Sequence, residues 1–123
     1  MADRGLLDCR ILVVEDEYLL ADELAMVLAD EGATVIGPVP TVADALALMD
    51  AQAVLEGAVL DLNLGGESAF PIADALIRRG VPVVFTTGYD AGAIPDRFAQ
   101  VPRCEKPIQT GKVTAALGRA IHV

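Results

Sequence analysis

Short runs of β-branched and other apolar residues alternate along this chain with longer segments of helical period. The first run, residues 10–14, is almost continuously apolar, which is typical of a strand covered on both faces of its sheet. Five units of a strand followed by a helix can be counted. Units in this order predict an α/β fold, a doubly wound parallel sheet of five strands with helices on both faces.

The apolar periods and the residues that break them place the elements along the sequence. The five strands are expected at residues 10–14, 34–36, 58–61, 82–86 and 101–105. Gly37 and Pro38 are expected to end the second strand, and Thr41 to cap the helix that follows. Residues 62–66 are predicted to form a loop, and the third helix is expected from near Ser68 to Arg79.

The chain beyond Gly88 has the least regular pattern. Gly92 and Pro95 interrupt any helix there, so we expect a short or mobile fourth helix. A last helix follows the fifth strand, with Val113 and Leu117 on its inward face.

Length and composition restrict the possible classes of protein. A chain of 123 residues has the size of one domain, and we expect a loose lead-in over residues 1–8 and the domain over residues 9–123. The net charge of −9 argues against direct binding to nucleic acid. No apolar run approaches the roughly 20 residues of a membrane helix, and a signal peptide's apolar stretch is absent. We therefore expect a cytoplasmic protein with free thiols at Cys9 and Cys104 and a solvated His122.

Carboxylates follow directly on two of the predicted strands. Glu15 and Asp16 follow the first strand, and Asp61 ends the third. In an open α/β sheet, ligands bind beyond the carboxyl ends of the strands. Carboxylates that meet there repel one another unless a cation neutralises them, and hard oxygen ligands suit Mg²⁺. We expect Asp16 to bind Mg²⁺ directly and Glu15 through water.

A hydroxyl and an ammonium follow two other predicted strands, the fourth at Thr87 and the fifth at Lys106. A carboxylate can attack phosphorus when a metal manages its charge and when cationic and hydroxyl donors hold the transferred oxygens. Asp61 is the most central carboxylate and is the expected nucleophile. Thr87 and Lys106 would stabilise the transferring oxygens, and Gly88 leaves its backbone N–H accessible to them.

The order of these residues resembles that of the receiver domains of two-component signalling. Such domains carry an acidic pair, a phosphoacceptor Asp, a Thr or Ser, and a Lys-Pro, here Glu15 with Asp16, Asp61, Thr87, and Lys106 before Pro107. The resemblance covers essentially the whole chain and implies a flavodoxin-like (βα)5 fold with strand order 2-1-3-4-5 and a commonly cis Lys-Pro peptide. It also implies Mg²⁺ as cofactor, Asn63 as part of the magnesium site, and a histidine kinase or histidine phosphotransfer protein as phosphoryl donor.

One segment resembles a particular receiver subgroup. Residues 85–89 resemble its Phe-Ala-Thr-Gly-Tyr signature, with Thr86 in the place of Ala. Arg103 stands where common receivers carry the Tyr or Phe that rotates inward on phosphorylation. We therefore expect a different switch, in which Thr87 moves toward the phosphoryl group and the segment around Tyr89 becomes ordered.

Three alternative functions remain open. A flavodoxin-like small-molecule binder shares the topology, but the acidic residues 15–17 would repel its phosphate. A phosphatase with an Asp nucleophile carries a second Asp two residues on, where this chain has Asn63. The third is a receiver-like module that binds partners without being phosphorylated. Glu17 is assigned only a favourable interaction with the dipole of the first helix.

The sequence ends soon after the last predicted helix. We therefore expect a stand-alone signalling domain, or a fragment of a longer chain, that is not an enzyme with a substrate of its own and whose output is binding to another protein. The residues do not identify that effector.

Overall fold

Five parallel strands form the centre of the computed structural model, which describes residues 5–88 and 93–122. In chain order the elements are β1 (Arg10–Val14), α1 (Tyr18–Asp30), β2 (Thr34–Val39), α2 (Val42–Asp50), β3 (Gly57–Asp61), β4 (Asn63–Leu64), β5 (Glu67–Ser68), α3 (Phe70–Arg78), β6 (Val83–Thr87), β7 (Arg103–Glu105) and α4 (Thr110–Ile121). A short 3-10 turn, Asp96–Phe98, precedes β7.

The strand order of the central sheet is β2-β1-β3-β6-β7, and every neighbouring pair is parallel. The strands β4 and β5 form a separate antiparallel pair. Counted without them, the order is 2-1-3-4-5. The predicted flavodoxin-like α/β fold is therefore confirmed.

The two faces of the sheet are covered by different helices. Successive residues of a strand point to opposite faces, and Val59 and Leu60 accordingly lie in two different core clusters. The cluster of Val59 also contains residues of α1 and α4, such as Leu24 and Leu117. The cluster of Leu60 contains residues of α2 and α3. Both faces are buried, which accounts for the nearly continuous apolar runs.

Strand β2 continues through Gly37 and Pro38, so the prediction that these residues end it was wrong. It runs to Val39, with a register shift against β1 between the partners of Leu12 and Val14. β2 is an edge strand, where a proline's missing N–H does not interrupt the sheet. Gly37 adopts the positive φ of 97° that the irregularity requires, and the Gly37–Pro38 peptide is cis.

Residues 63–68 form a hairpin where a loop was predicted over residues 62–66. Asn63 pairs with Ser68, and Leu64 pairs with Glu67. Gly65 and Gly66 both have positive φ, 62° and 88°, as a tight two-residue hairpin turn requires. Because Ser68 belongs to the hairpin, α3 begins two residues after it, at Phe70.

Residues 5–8, the described part of the predicted lead-in, contact the rest of the domain. Leu6 is fully buried in the cluster between the sheet, α1 and α4. The Asp8 N–H donates to Gly32 O at 2.9 Å. His122 is exposed as expected, and its Nε2 lies 2.7 Å from Gly5 O. Residues 1–4 of the lead-in lie outside the described residues.

Several smaller expectations can be compared with the structure. Thr41 caps α2 by accepting the Asp44 N–H at 3.1 Å, and Cys9 and Cys104 are free thiols. Around the expected fourth helix, the described residues form only the 3-10 turn at 96–98, and residues 89–92 lie outside them. Within the described part of the chain, no helix is long and apolar enough to cross a membrane.

Candidate functional site

The sheet order brings four of the predicted site residues to one edge. Glu15 directly follows β1, Asp61 is the last residue of β3, and Thr87 is the last residue of β6. Lys106 directly follows β7. The strands are parallel neighbours, so their carboxyl ends open into one crevice.

Three carboxyl groups cluster in this crevice. One carboxylate oxygen each from Glu15, Asp16 and Asp61 lies within 4.8 Å of the others. Glu15 and Asp61 are buried, each 2% exposed, while Asp16 is exposed. Buried like charges at this separation are unfavourable without a compensating cation. The donor set of hard oxygens suits a divalent cation such as Mg²⁺.

Lys106 is the cation that the structure places in the cluster. Its Nζ donates a 3.0 Å hydrogen bond to Asp61 Oδ2 and lies 3.6 Å from Glu15 Oε2. Burial lowers the pKa of Lys106, but the hydrogen bond to Asp61 and the neighbouring carboxylates more than offset this, so the pKa is raised. Lys106 therefore remains charged, and one positive charge faces three carboxyl groups.

Glu15 is the group whose protonation the site changes most. Burial, followed by the adjacent Asp61 carboxyl, raises the pKa of Glu15 to about 8, against the opposing effects of the Glu17 N–H and of Lys106. The Glu17 N–H donates to Glu15 Oε2 at 2.9 Å. Glu15 Oε1 is buried and has no hydrogen-bond partner among the described residues. An unpaired buried carboxyl oxygen in an acidic cluster fits a bound cation.

The hairpin after β3 contributes backbone donors that sequence reasoning missed. The Gly65 N–H donates to Asp16 Oδ2 at 2.8 Å, and the Asn63 N–H donates to Asp61 Oδ1 at 3.1 Å. The Gly66 N–H donates to Asn63 Oδ1 at 2.8 Å. An open cleft of about 200 Å³ is lined by Asp16, Asp61, Asn63, Gly65, Gly66 and Lys106. The adjacent glycines at 65 and 66 were the available signal for this tight turn.

A second cleft adjoins the first at Lys106. It has a volume of about 310 Å³ and is lined by Thr87, Gly88, Glu105 and Lys106. Thr87 is 7% exposed, and its carbonyl oxygen accepts the Lys106 N–H at 2.7 Å. The two clefts therefore place an acidic cluster and a hydroxyl-bearing wall on either side of one ammonium group.

Two of the predicted switch residues lie apart from this centre. Arg103 is exposed on β7, in register with Phe85, and is not an inward-facing residue. Tyr89 lies outside the described residues. The Lys106–Pro107 peptide is cis, as the resemblance implied.

Two further residues at the site received no functional role from the sequence. Glu17 was assigned only to the helix dipole, but its Oε2 lies 3.8 Å from Lys106 Nζ in an exposed ion pair. Thr86 is fully buried next to Asp61, and its hydroxyl has no hydrogen-bond partner among the described residues. No sequence pattern distinguishes such a threonine from an ordinary strand residue.

Comparison with known proteins relates the chain to signalling proteins. No family model matches. SdrG from Sphingomonas melonis Fr1 is 38% identical over the full length of both chains, with a TM-score of 0.80. The BeF3-activated conformation of SdrG from Pseudomonas melonis Fr1 is 40% identical, covers 87% of this chain and 93% of that one, and has a TM-score of 0.69. A response regulator receiver protein from Sinorhizobium medicae WSM419, 22% identical with a TM-score of 0.78, shares the fold.

Two curated relatives are longer proteins. The phyllosphere-induced regulator PhyR from Methylorubrum extorquens is 32% identical over 120 residues, which are 90% of this chain and 43% of that protein. The sensory transduction protein RegX3 from Mycolicibacterium smegmatis is 40% identical over 84 residues, which are 66% of this chain and 35% of that protein. The chain thus spans less than half the length of either relative.

Proposed function

The chain belongs to the response-regulator receiver domains, and from this we propose that Asp61 accepts a phosphoryl group in a Mg²⁺-dependent reaction that switches binding to another protein. A receiver domain is a signalling domain and not a metabolic enzyme. The observation that carries the proposal is the position of Asp61. It is buried at the carboxyl end of the central strand, within 4.8 Å of two more carboxylates and hydrogen-bonded to Lys106.

Asp61 is the nucleophile of the proposed reaction. An oxygen of its carboxylate forms a bond to phosphorus while the bond between phosphorus and the donor's histidine nitrogen breaks, and the imidazole keeps the electron pair. The proposed donor is a histidine kinase or a histidine phosphotransfer protein. Lys106, the Thr87 hydroxyl and the Gly88 N–H stabilise the oxygens of the transferring group. These three residues line the cleft that adjoins the Asp61 cleft at Lys106.

The acidic cluster is the proposed magnesium site. Asp16 and Asp61 would hold the ion directly, Glu15 would hold it through water, and Asn63 would complete the protein side of the site. When bound, Mg²⁺ supplies positive charge that neutralises the carboxylates and the oxygens of the transferring group. The chain's own contribution is to hold these oxygens together, and the unpaired Glu15 Oε1 supports this role.

The readout of phosphorylation belongs to the same proposal. Residues 9–123 act as the receiver domain, in the cytoplasm, and catalyse only their own phosphorylation and dephosphorylation. Arg103 does not rotate inward on phosphorylation as the Tyr or Phe of common receivers does, and its exposed side chain supports this. The switch is the movement of Thr87 toward the phosphoryl group, and the ordering expected around Tyr89 concerns residues outside the described ranges.

Phosphorylation by a small donor tests the proposal. The protein is incubated with acetyl phosphate and Mg²⁺, and intact mass is measured. A single phosphoryl adduct that is stable in acid and labile in base is expected for the wild type, and none for Asp61→Asn. Asp96→Asn, which changes an exposed aspartate outside the cluster, is the matched control and should be labelled like the wild type. Equal labelling of Asp61→Asn would contradict the assignment.

A further inference from the structure

Thr86 lies buried beside Asp61 with an unpaired hydroxyl. It is 0% exposed, and its Oγ1 has no hydrogen-bond partner among the described residues. Buried hydroxyl groups are rarely left unpaired, because the lost bonds to water destabilise the folded state. The present arrangement of the site therefore lacks a hydrogen bond that an arrangement pairing this hydroxyl would gain.

The sheet register places Thr86 and Asp61 side by side. They are direct partners in the parallel pairing of β6 with β3. Val84 and Val59, two residues earlier on the same strands, both lie in the cluster under α1 and α4. Alternate residues of a strand share a face, so the side chains of Thr86 and Asp61 lie on that same face.

Lys106 must cross strand β6 to reach Asp61. Strand β6 lies between β7 and β3 in the sheet, and Lys106 directly follows β7. Cys104, two residues before Lys106, is in register with Thr86 and packs against the same cluster. The Lys106 ammonium therefore reaches Asp61 past the end of β6, the strand that carries Thr86.

In the part of the chain that the structure describes, Lys106 has N–H donors without an acceptor, and the Thr86 hydroxyl has no donor to it. An ammonium group has three N–H donors. Among the described residues, only Asp61 Oδ2 accepts a hydrogen bond from Lys106, since Glu15 and Glu17 lie 3.6 and 3.8 Å away. An ammonium with unused donors and a hydroxyl without a partner in residues 5–88 and 93–122 thus both lie next to Asp61, the proposed phosphoryl acceptor.

We propose that Thr86 is a positioning residue, whose hydroxyl accepts a hydrogen bond from Lys106 once a phosphoryl group on Asp61 draws the ammonium away from its present bond. This inference rests on the proposed function. Phosphorylation removes the carboxylate charge that now holds Lys106 and adds phosphoryl oxygens beyond it. The bond to Thr86 holds the ammonium at those oxygens, so it stabilises the phosphorylated state over the unphosphorylated one.

The test compares Thr86→Val, which keeps the shape and loses the hydroxyl, with Thr86→Ser, which keeps the hydroxyl. The affinity for beryllofluoride with Mg²⁺, a phosphoryl mimic, is measured by titration calorimetry, and the Tm of the free protein is measured alongside. For Thr86→Val we expect about tenfold weaker binding, as one hydrogen bond to a charged group is lost, with an unchanged or higher Tm because the unpaired hydroxyl is gone. Thr86→Ser should bind close to wild type although its Tm falls, since a buried methyl group is removed.

In Thr86→Val the affinity for the mimic should fall while the Tm stays the same or rises. A residue that only packs in the core would not lose affinity without losing Tm, so the two measurements together distinguish a positioning role from a packing role. Thr86→Ala, which also lacks the hydroxyl, should repeat the weaker binding. Wild-type affinity in Thr86→Val, or equally weak binding in Thr86→Ser and Thr86→Val, would overturn the inference and leave the proposed function standing. Failure of the wild type to bind the mimic would overturn the proposed function and this inference with it.

Discussion

Lys106 Nζ donates a 3.0 Å hydrogen bond to Asp61 Oδ2, so the expected nucleophile is already paired with the cation expected to stabilise its phosphorylated form. The Lys106 pKa is raised, which keeps the ammonium charged at neutral pH. This pairing has two consequences. The ammonium offsets part of the charge that would attract Mg²⁺, and it lies where the transferred oxygens would need a donor.

The first prediction separates these two roles of Lys106. We expect Lys106→Ala to bind Mg²⁺ as tightly as the wild type or more tightly, because a positive charge beside the acidic cluster is removed. Phosphorylation by acetyl phosphate should slow by about 100-fold, the effect of removing one preorganised donor to a transition state. Lys112→Ala, which changes an exposed lysine of α4, is the matched control. Loss of Mg²⁺ binding in Lys106→Ala would show that the lysine builds the site and does not compete with the metal.

The second prediction concerns Asp16, the exposed member of the cluster. We expect Asp16→Asn to weaken Mg²⁺ binding by about tenfold or more, as when residues of a metal site are changed, and to leave the Tm of the free protein nearly unaltered. The amide oxygen can still accept the Gly65 N–H, so the hairpin should keep its position. Asp22→Asn, at an exposed position of α1 outside the cluster, should bind Mg²⁺ like the wild type. Mg²⁺ affinity is measured by NMR titration, and undiminished affinity in Asp16→Asn would exclude Asp16 as a ligand.

The third prediction follows from the pKa of Glu15, which burial and the Asp61 carboxyl raise from 4.5 to about 8. Between these two values the folded state binds a proton at Glu15 that the unfolded state has lost. The contribution of this group to the free energy of unfolding is therefore full below about pH 4.5 and falls as the pH rises toward 8. Urea unfolding in the presence of EDTA measures it. Relative to the wild type, Glu15→Gln should lack this decline, and parallel pH profiles of the two proteins would contradict the raised pKa.

The fourth prediction concerns the effect of the same Glu15 proton on metal binding. A cation must displace the proton from Glu15, so the apparent Mg²⁺ affinity of the wild type should increase as the pH rises from 6.5 toward 8.5, across a pKa of about 8. In Glu15→Gln the affinity should be lower and should depend less on pH. The same titrations as for Asp16 measure this, and an affinity that is flat with pH in the wild type would argue against a protonated Glu15.

The sheet, and the position of the candidate site residues at its strand ends, could be predicted from the sequence because they depend on patterns with a period. Apolar runs identified the strands, and the strand order implied by the resemblance brought Asp61 and Lys106 to one edge. The polar residue that ends a strand or directly follows it lies at the crevice once that order is known. The position of Asp61 in this crevice could therefore be predicted without any measured distance.

The remaining features depend on tertiary context that leaves no periodic signal. Pro38 was read as a breaker, but on an edge strand its missing N–H removes no bond of the sheet. Leu6 is a single apolar side chain without a pattern around it, yet it fills a place in the core. The contact between Gly65 and Asp16 joins residues that are 49 positions apart, and it depends on a hairpin with only two residues in each strand.

The last prediction concerns the extent of the structural change on phosphorylation. Phe98 is fully buried, with its ring 5.3 Å from the ring of Phe70 and 5.7 Å from that of Phe85. Arg97 holds the same turn to α3 through two hydrogen bonds to Asp74, at 3.0 and 3.1 Å. The turn at 96–98 is therefore held in place by α3 and β6, and we call it the anchor. We expect a movement of Thr87 to affect the chain as far as this anchor and not beyond it.

We therefore expect that Mg²⁺ with beryllofluoride changes the NMR line widths most between Thr87 and the anchor at Phe98. The line widths of residues in α1 and α2 should change little. Asp74→Asn removes the charge of the exposed ion pair with Arg97, which contributes little to stability, and should extend the changes past Phe98 without unfolding the protein. Phe98→Leu, which weakens the aromatic contacts, should extend them further. Changes spread evenly over all helices, or confined to Asp61 and its direct neighbours, would contradict an ordering switch that ends at this anchor.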